Sequence, residues 1–97
     1  MVHVIAYDLR EPNDTAEDYA RVIDAIKEKF PTWCHLEKSV WLVDTSLEVL
    51  DVRDFMMKIA HDNDRIFVAC LAGSWASFSL PKSQVDWLKK RDFECVT

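Results

Sequence analysis

Residues 1–11 read MVHVIAYDLRE, and the fold turns on how this stretch is divided. Val2 to Asp8 is rich in β-forming residues, with His3 the one polar interruption, and the chain then changes abruptly to charge at Asp8, Arg10 and Glu11. Apolar residues on both faces of a short run mark a central strand covered on two sides. Alternation puts Asp8 on one face with Val2, Val4 and Ala6, and Tyr7 on the other with His3 and Ile5.

After this strand, Glu11-Pro12-Asn13-Asp14-Thr15 is turn chemistry, and Asp14 or Thr15 can cap a following helix. Tyr19, Val22, Ile23, Ile26 and Phe30 then recur at helical spacing, acids fall in the first turn, lysines in the last, and Pro31 stops the helix. Thr32 to Asp44 (TWCHLEKSVWLVD) reads as extended chain, either one bulged strand or two strands breaking near Glu37-Lys38. A break is favoured, since no Gly or Asn-Gly marks a tight hairpin. Thr45-x-x-Glu48 has the spacing of a capping box before a second helix with Val49, Val52, Met56 and Ile59 on its buried face. Asp62-Asn63-Asp64 ends that helix, Ile66 to Leu71 is a short apolar strand, and Gly73 closes it. Pro81 stands at the start of a last short helix through Trp87 and Leu88, and Lys89-Lys90-Arg91 reads as its solvated end.

This order predicts a single domain over residues 1–97, a mixed α/β (α+β) unit of ferredoxin-like βαββαβ type. Its antiparallel sheet carries two helices on one face, and a short C-terminal helix completes the chain. The second face of such a sheet needs a cover, and a dimer partner is the simplest one.

Composition narrows the function. At 97 residues, 49% hydrophobic and 30% charged, the chain is an ordinary globular domain with one core. One glycine excludes the glycine-rich loops that cradle nucleotide phosphates. A formal charge of −5 argues against a general phosphate-driven nucleic-acid binder. Four tryptophans and five phenylalanines exceed what so small a core needs and point to an interface. No apolar run is long enough to span a bilayer and no signal-peptide pattern opens the chain, so a cytoplasmic protein is expected. Cys34, Cys70 and Cys95 have no zinc or disulfide spacing and read as reduced thiols.

Asp8 is the best chemical candidate. A carboxylate ending a central strand sits where loops gather and a cation can reach; the alternative is a turn residue accepting backbone N–H bonds. One carboxylate holds Mg²⁺ weakly, whereas two meeting across a dimer axis would hold it better. His35 is a candidate base or metal ligand, His61 suits a helix C-terminus, and Ser39 lacks any nucleophile motif. Cys34 and His35 point to opposite faces of a strand and form no dyad.

Tyr7-Asp8-Leu9 closing the first strand, Lys38-Ser39-Val40-Trp41 running into Leu42-Val43-Asp44-Thr45, and the element order together resemble a known family. It is the second CRISPR-associated protein family, the small ferredoxin-like component of spacer acquisition. The tryptophan-rich segment and the stretches Trp75 to Phe78 and Asp86-Trp87-Leu88 are similar to its stand-alone SinR-like relatives. More distant cousins are the virulence-associated protein D ribonucleases. The resemblance implies a homodimer in which Asp8 of each subunit holds a divalent metal, Mg²⁺ with Mn²⁺ as substitute, for phosphodiester hydrolysis of RNA or DNA. Arg10 would contact the substrate phosphate. The alternative is a non-catalytic dimeric adaptor of a defence or toxin–antitoxin system. The chain departs from the family in its acidic charge, in Trp41 where Phe is usual, and in a C-terminal helix where a strand that pairs with the other subunit is common.

Overall fold

The computed structural model describes residues 1–96. In chain order the elements are β1 (Val2–Asp8), α1 (Ala16–Lys29), β2 (Thr32–Glu37), β3 (Val40–Asp44), α2 (Val49–Ile59), β4 (Arg65–Cys70) and α3 (Lys82–Lys89). The strands form one sheet in the order β2-β3-β1-β4, and every neighbouring pair is antiparallel. β1 therefore lies inside the sheet, as its two-sided apolar pattern predicts. Strands β1 and β2 run parallel with β3 between them, and β3 and β4 run parallel with β1 between them. A helix makes each of these two connections.

Both connecting helices pack on the face that carries Ile5 and Tyr7. Val22, Ile26 and Phe30 of the first helical segment and Val52 and Met56 of α2 meet Ile5, Tyr7, Trp41 and Val43 in one core. Thr15 caps α1: its hydroxyl accepts the Asp18 N–H while the Asp18 carboxylate accepts the Thr15 N–H. Phe30 ends the helix directly before Pro31, which cannot continue it.

Residues 32–44 do divide near Glu37-Lys38, but as the tight hairpin that the absence of Gly or Asn-Gly argued against, with Lys38-Ser39 as its two-residue turn. A bulge between His35 and Glu37 adjusts the register, so the turn forms without Asn-Gly. The cross-strand pair His35 and Trp41 stack at 3.8 Å with planes 10° apart, which pins the pairing beside the bulge.

The Thr45-x-x-Glu48 capping box does not form. Helix α2 starts at Val49 with Glu48 as a cap that makes no side-chain bond. Thr45 is held by Met1 instead, its N–H donating to the Met1 carbonyl at 2.9 Å and its carbonyl accepting from the Met1 amine at 2.8 Å. These bonds extend the β1–β3 ladder by one residue and keep Thr45 out of the helix. Its hydroxyl accepts the Leu47 N–H in the connecting loop.

The second sheet face is covered in part by the chain itself. Leu88, with Trp87, Leu80 and Phe93 around it, packs on Val2, Cys34 and Leu42 from the opposite side. Trp87 Nε1 donates to Thr32 Oγ1 at 2.8 Å and Gln84 Nε2 to the His35 carbonyl at 2.8 Å, which fixes α3 along β2. The basic cluster after α3 is not uniformly solvated either. Lys89 and Lys90 are exposed, but Arg91 pairs with Asp44 at 3.0 Å and lies over the Trp87 ring.

Two of the three cysteines are not thiols. Cys70 and Cys95 form a disulfide across Cα atoms 6.0 Å apart, while Cys34 is free and buried. The bond ties the segment after α3 to the end of β4, a proximity that only the tertiary fold creates. It also removes the argument for a reducing compartment that three thiols supplied. Among the described residues, no helix is long and apolar enough to cross a membrane.

Candidate functional site

The two neighbours of Asp8 in the chain decide how it is presented. Tyr7 and Leu9 are both buried, at 6% and 4% exposure, and anchor the strand end from either side. Asp8 between them lies on the opposite face, with Val2, Val4 and Ala6, and its side chain is 55% exposed. The alternation read from the sequence holds to the last residue of β1.

The Asp8 carboxylate accepts from Arg10 Nη1 at 2.9 Å. It does not close the turn through backbone bonds; Asp64 has that role. Asp64 Oδ1 accepts the Arg10 N–H at 2.8 Å and Asp64 Oδ2 accepts the His61 N–H at 2.9 Å. Asn63 Nδ2 donates to the Glu11 carbonyl at 2.8 Å. The loop between α2 and β4 therefore clamps the loop that leaves β1, and the Glu11–Pro12 peptide in it is cis.

Between these loops opens a cleft of about 570 Å³ lined by Asp8, Leu9, Arg10, Glu11, Asp14, Asn63 and Arg65. Three carboxylates and two guanidinium groups share it. Asp8 and Arg10, the two site residues expected from the sequence, stand together here. Asn63 and Arg65 do not stand out in the sequence as site residues. Asn63 reads in the sequence only as part of a helix terminator, and Arg65 enters through the β1–β4 register, which places it directly opposite Asp8.

The two sequence segments that carry the family resemblance are also neighbours. The Tyr7 N–H donates to the Ser39 carbonyl at 3.1 Å, and Trp41 Nε1 donates to the Tyr7 hydroxyl at 3.0 Å in the buried core. Burial pushes the Tyr7 pKa up; the Trp41 bond works against that rise and nearby Tyr19 adds to it. Tyr7 and Trp41 thus hold the strand end in place, and Asp8 is the part of the motif that reaches solvent.

The other candidates are placed away from chemistry. His35 is stacked on Trp41 and donates from Nε2 to the Lys38 carbonyl at 3.2 Å. His61 lies 3.9 Å from Asp18 beside α1. Ser39 is a hairpin residue whose carbonyl serves the sheet. His3, the polar interruption of the first strand, is buried and donates to the Leu47 carbonyl at 2.7 Å.

A divalent metal does not fit the donors of one chain. Among the described residues, no group of three or more His, Cys, Asp or Glu side chains could hold an ion. Asp8 brings one carboxylate with a guanidinium already on it, and Mg²⁺ takes hard oxygens in near-octahedral number. Further ligands have to come from a second copy, from substrate or from water. No known family model and no curated protein matches the chain.

Proposed function

We propose that this chain is a ferredoxin-like homodimer of the CRISPR-adaptation and SinR-like type, and that it hydrolyses phosphodiester bonds of RNA or DNA with Mg²⁺. The observation that carries this reading is the position of Asp8. It projects, exposed, from the part of the second sheet face that the C-terminal segment leaves open. Phe67 stands on the same face, paired across from Ala6, and is 63% exposed at the middle of β4. An exposed aromatic beside an exposed carboxylate suits a face that a second subunit covers. Two copies apposed there would bring two Asp8 carboxylates together. The ferredoxin-like assignment is supported by the antiparallel order β2-β3-β1-β4 and by two helices joining alternate strands.

A bound divalent ion would supply Lewis-acid stabilisation of the phosphate and an activated water. What the chain itself contributes is the placement of Asp8 by buried Tyr7 and Leu9, and a guanidinium in the cleft for the phosphate.

The test is cleavage of labelled single-stranded RNA and duplex DNA, with and without Mg²⁺, by wild type and Asp8→Asn, with sedimentation of both. A dimer that cuts only with metal, and a dimeric Asp8→Asn that does not cut, is the expected result. A monomeric wild type, or an Asp8→Asn variant as active as wild type, sinks the reading.

One observation favours a second reading, the non-catalytic dimeric adaptor. Asp8 is already neutralised by Arg10 within its own chain. That reading predicts a stable dimer with no cleavage under Mg²⁺ or Mn²⁺.

A further inference from the structure

We propose that Arg65, rather than Arg10, binds the substrate phosphate beside Asp8; the proposal rests on the phosphodiester-binding reading above. Arg65 is the first residue of β4 and the direct cross-strand partner of Asp8. Directly opposed residues on antiparallel strands point to the same face, with Cβ atoms about 5 Å apart. Both side chains line the same cleft. A phosphate held on Arg65 would lie next to the Asp8 carboxylate.

The two arginines differ in what already occupies them. The Arg10 guanidinium is paired with Asp8 at 2.9 Å, and its backbone N–H, donating to Asp64 at 2.8 Å, fixes the residue in the loop. In the metal-free chain, using Arg10 on a phosphate would mean removing it from Asp8 and leaving that carboxylate facing the anion uncompensated. Arg65 has no such commitment. Among the described residues, its guanidinium makes no ion pair, and none of the side-chain hydrogen bonds in the cleft uses it. Asn63, the other polar side chain on that wall, is spent on the Glu11 carbonyl.

Charge supports the same division. Asp8, Glu11 and Asp14 make the cleft repulsive to a phosphate unless a cation is free to meet it. With Arg10 cancelling Asp8, Arg65 is the cation that remains uncommitted on the wall. Its planar fork of N–H donors matches two phosphate oxygens at once, which a lysine ammonium cannot do as well. The acidic balance of the whole chain then ceases to be an obstacle, because local recognition needs one placed guanidinium and not a basic surface.

The experiment measures binding in EDTA, where the metal plays no part, by anisotropy of a fluorescein-labelled single-stranded RNA and a labelled duplex DNA over a salt series. Whichever probe responds identifies the source of the phosphate. Arg65→Ala should weaken binding about tenfold and lower the slope of log affinity against log salt by about one. Arg65→Lys should recover much of the affinity and the full slope, while Arg10→Ala leaves the slope near that of wild type. Sedimentation of each variant keeps a loss of dimer from passing for a loss of contact. Wild-type affinity and slope in Arg65→Ala would overturn the proposal, as would a slope loss in Arg10→Ala instead, or a wild type that binds neither probe. A wild type that binds but never cleaves defeats the nuclease reading alone.

Discussion

At Tyr7 a phenol is buried against the one tryptophan that can donate to it. Tyr7→Phe leaves Trp41 Nε1 without its acceptor in the core, and should cost about 1–3 kcal/mol in urea unfolding. The same burial raises the Tyr7 pKa above its ordinary value of 10.0, so the folded state holds this proton more tightly than the unfolded one. The stability tied to the neutral phenol is therefore fully present below about pH 10 and is lost as pH rises through the folded value. A pH series of unfolding midpoints should show an alkaline decline that Tyr7→Phe removes. Asp8, its neighbour, is legible from the sequence because strand alternation alone sets its face. Arg65 is not legible, since only the β1–β4 register brings it opposite Asp8. His35 looks more reactive in the sequence than in the fold for a similar reason: its stacking on Trp41 depends on a hairpin register that a bulge shifts.

Helix α1 shows how much a local pattern can specify when nothing competes with it. Thr15 and Asp18 exchange hydrogen bonds reciprocally, and Thr15→Ala should lower stability by about 1 kcal/mol. The Thr15 hydroxyl and N–H, then Arg21 and His61 nearby, pull the Asp18 pKa below its ordinary value of 3.8. Because the folded pKa is depressed, the capping contribution is present above the unfolded value and is lost as pH falls through the folded one. Helicity followed by circular dichroism in acid should therefore decline less steeply in Asp18→Asn than in wild type. Helix α2 shows the opposite case. Its Thr-x-x-Glu pattern has the right spacing, yet Thr45 is claimed by backbone bonds to Met1 and the helix starts three residues later than a Thr45 cap would set it. The four strands and three helices are legible from apolar periodicity and from prolines. The cap of α2 is not, because a long-range ladder outweighs a local bond.

On the scale of the whole molecule, the C-terminal segment is the part whose role the residue pattern conveys least well. The pattern suggests an appendage, but α3 covers part of the second sheet face and the Cys70–Cys95 bond secures the chain beyond that helix. Closing a loop of 25 residues stabilises a fold by about 3.5 kcal/mol in the chain-entropy description. Cys95→Ser should therefore lower the urea midpoint substantially, and dithiothreitol should destabilise wild type but not this variant. The segment leaves Ala6, Asp8, Arg65 and Phe67 on the open part of that face, so the surface available to a second subunit is smaller than a bare sheet would offer. Phe67→Glu should leave the proposed dimer monomeric in sedimentation while the fold persists, since Phe67 lies outside both cores. Whether two copies of Asp8 share one divalent ion, as proposed, is read by titrating Mn²⁺ and following it by electron paramagnetic resonance. Wild type should bind one ion for every two chains, and a dimeric Asp8→Asn variant none. An ion on each chain, or binding that survives Asp8→Asn unchanged, would contradict it.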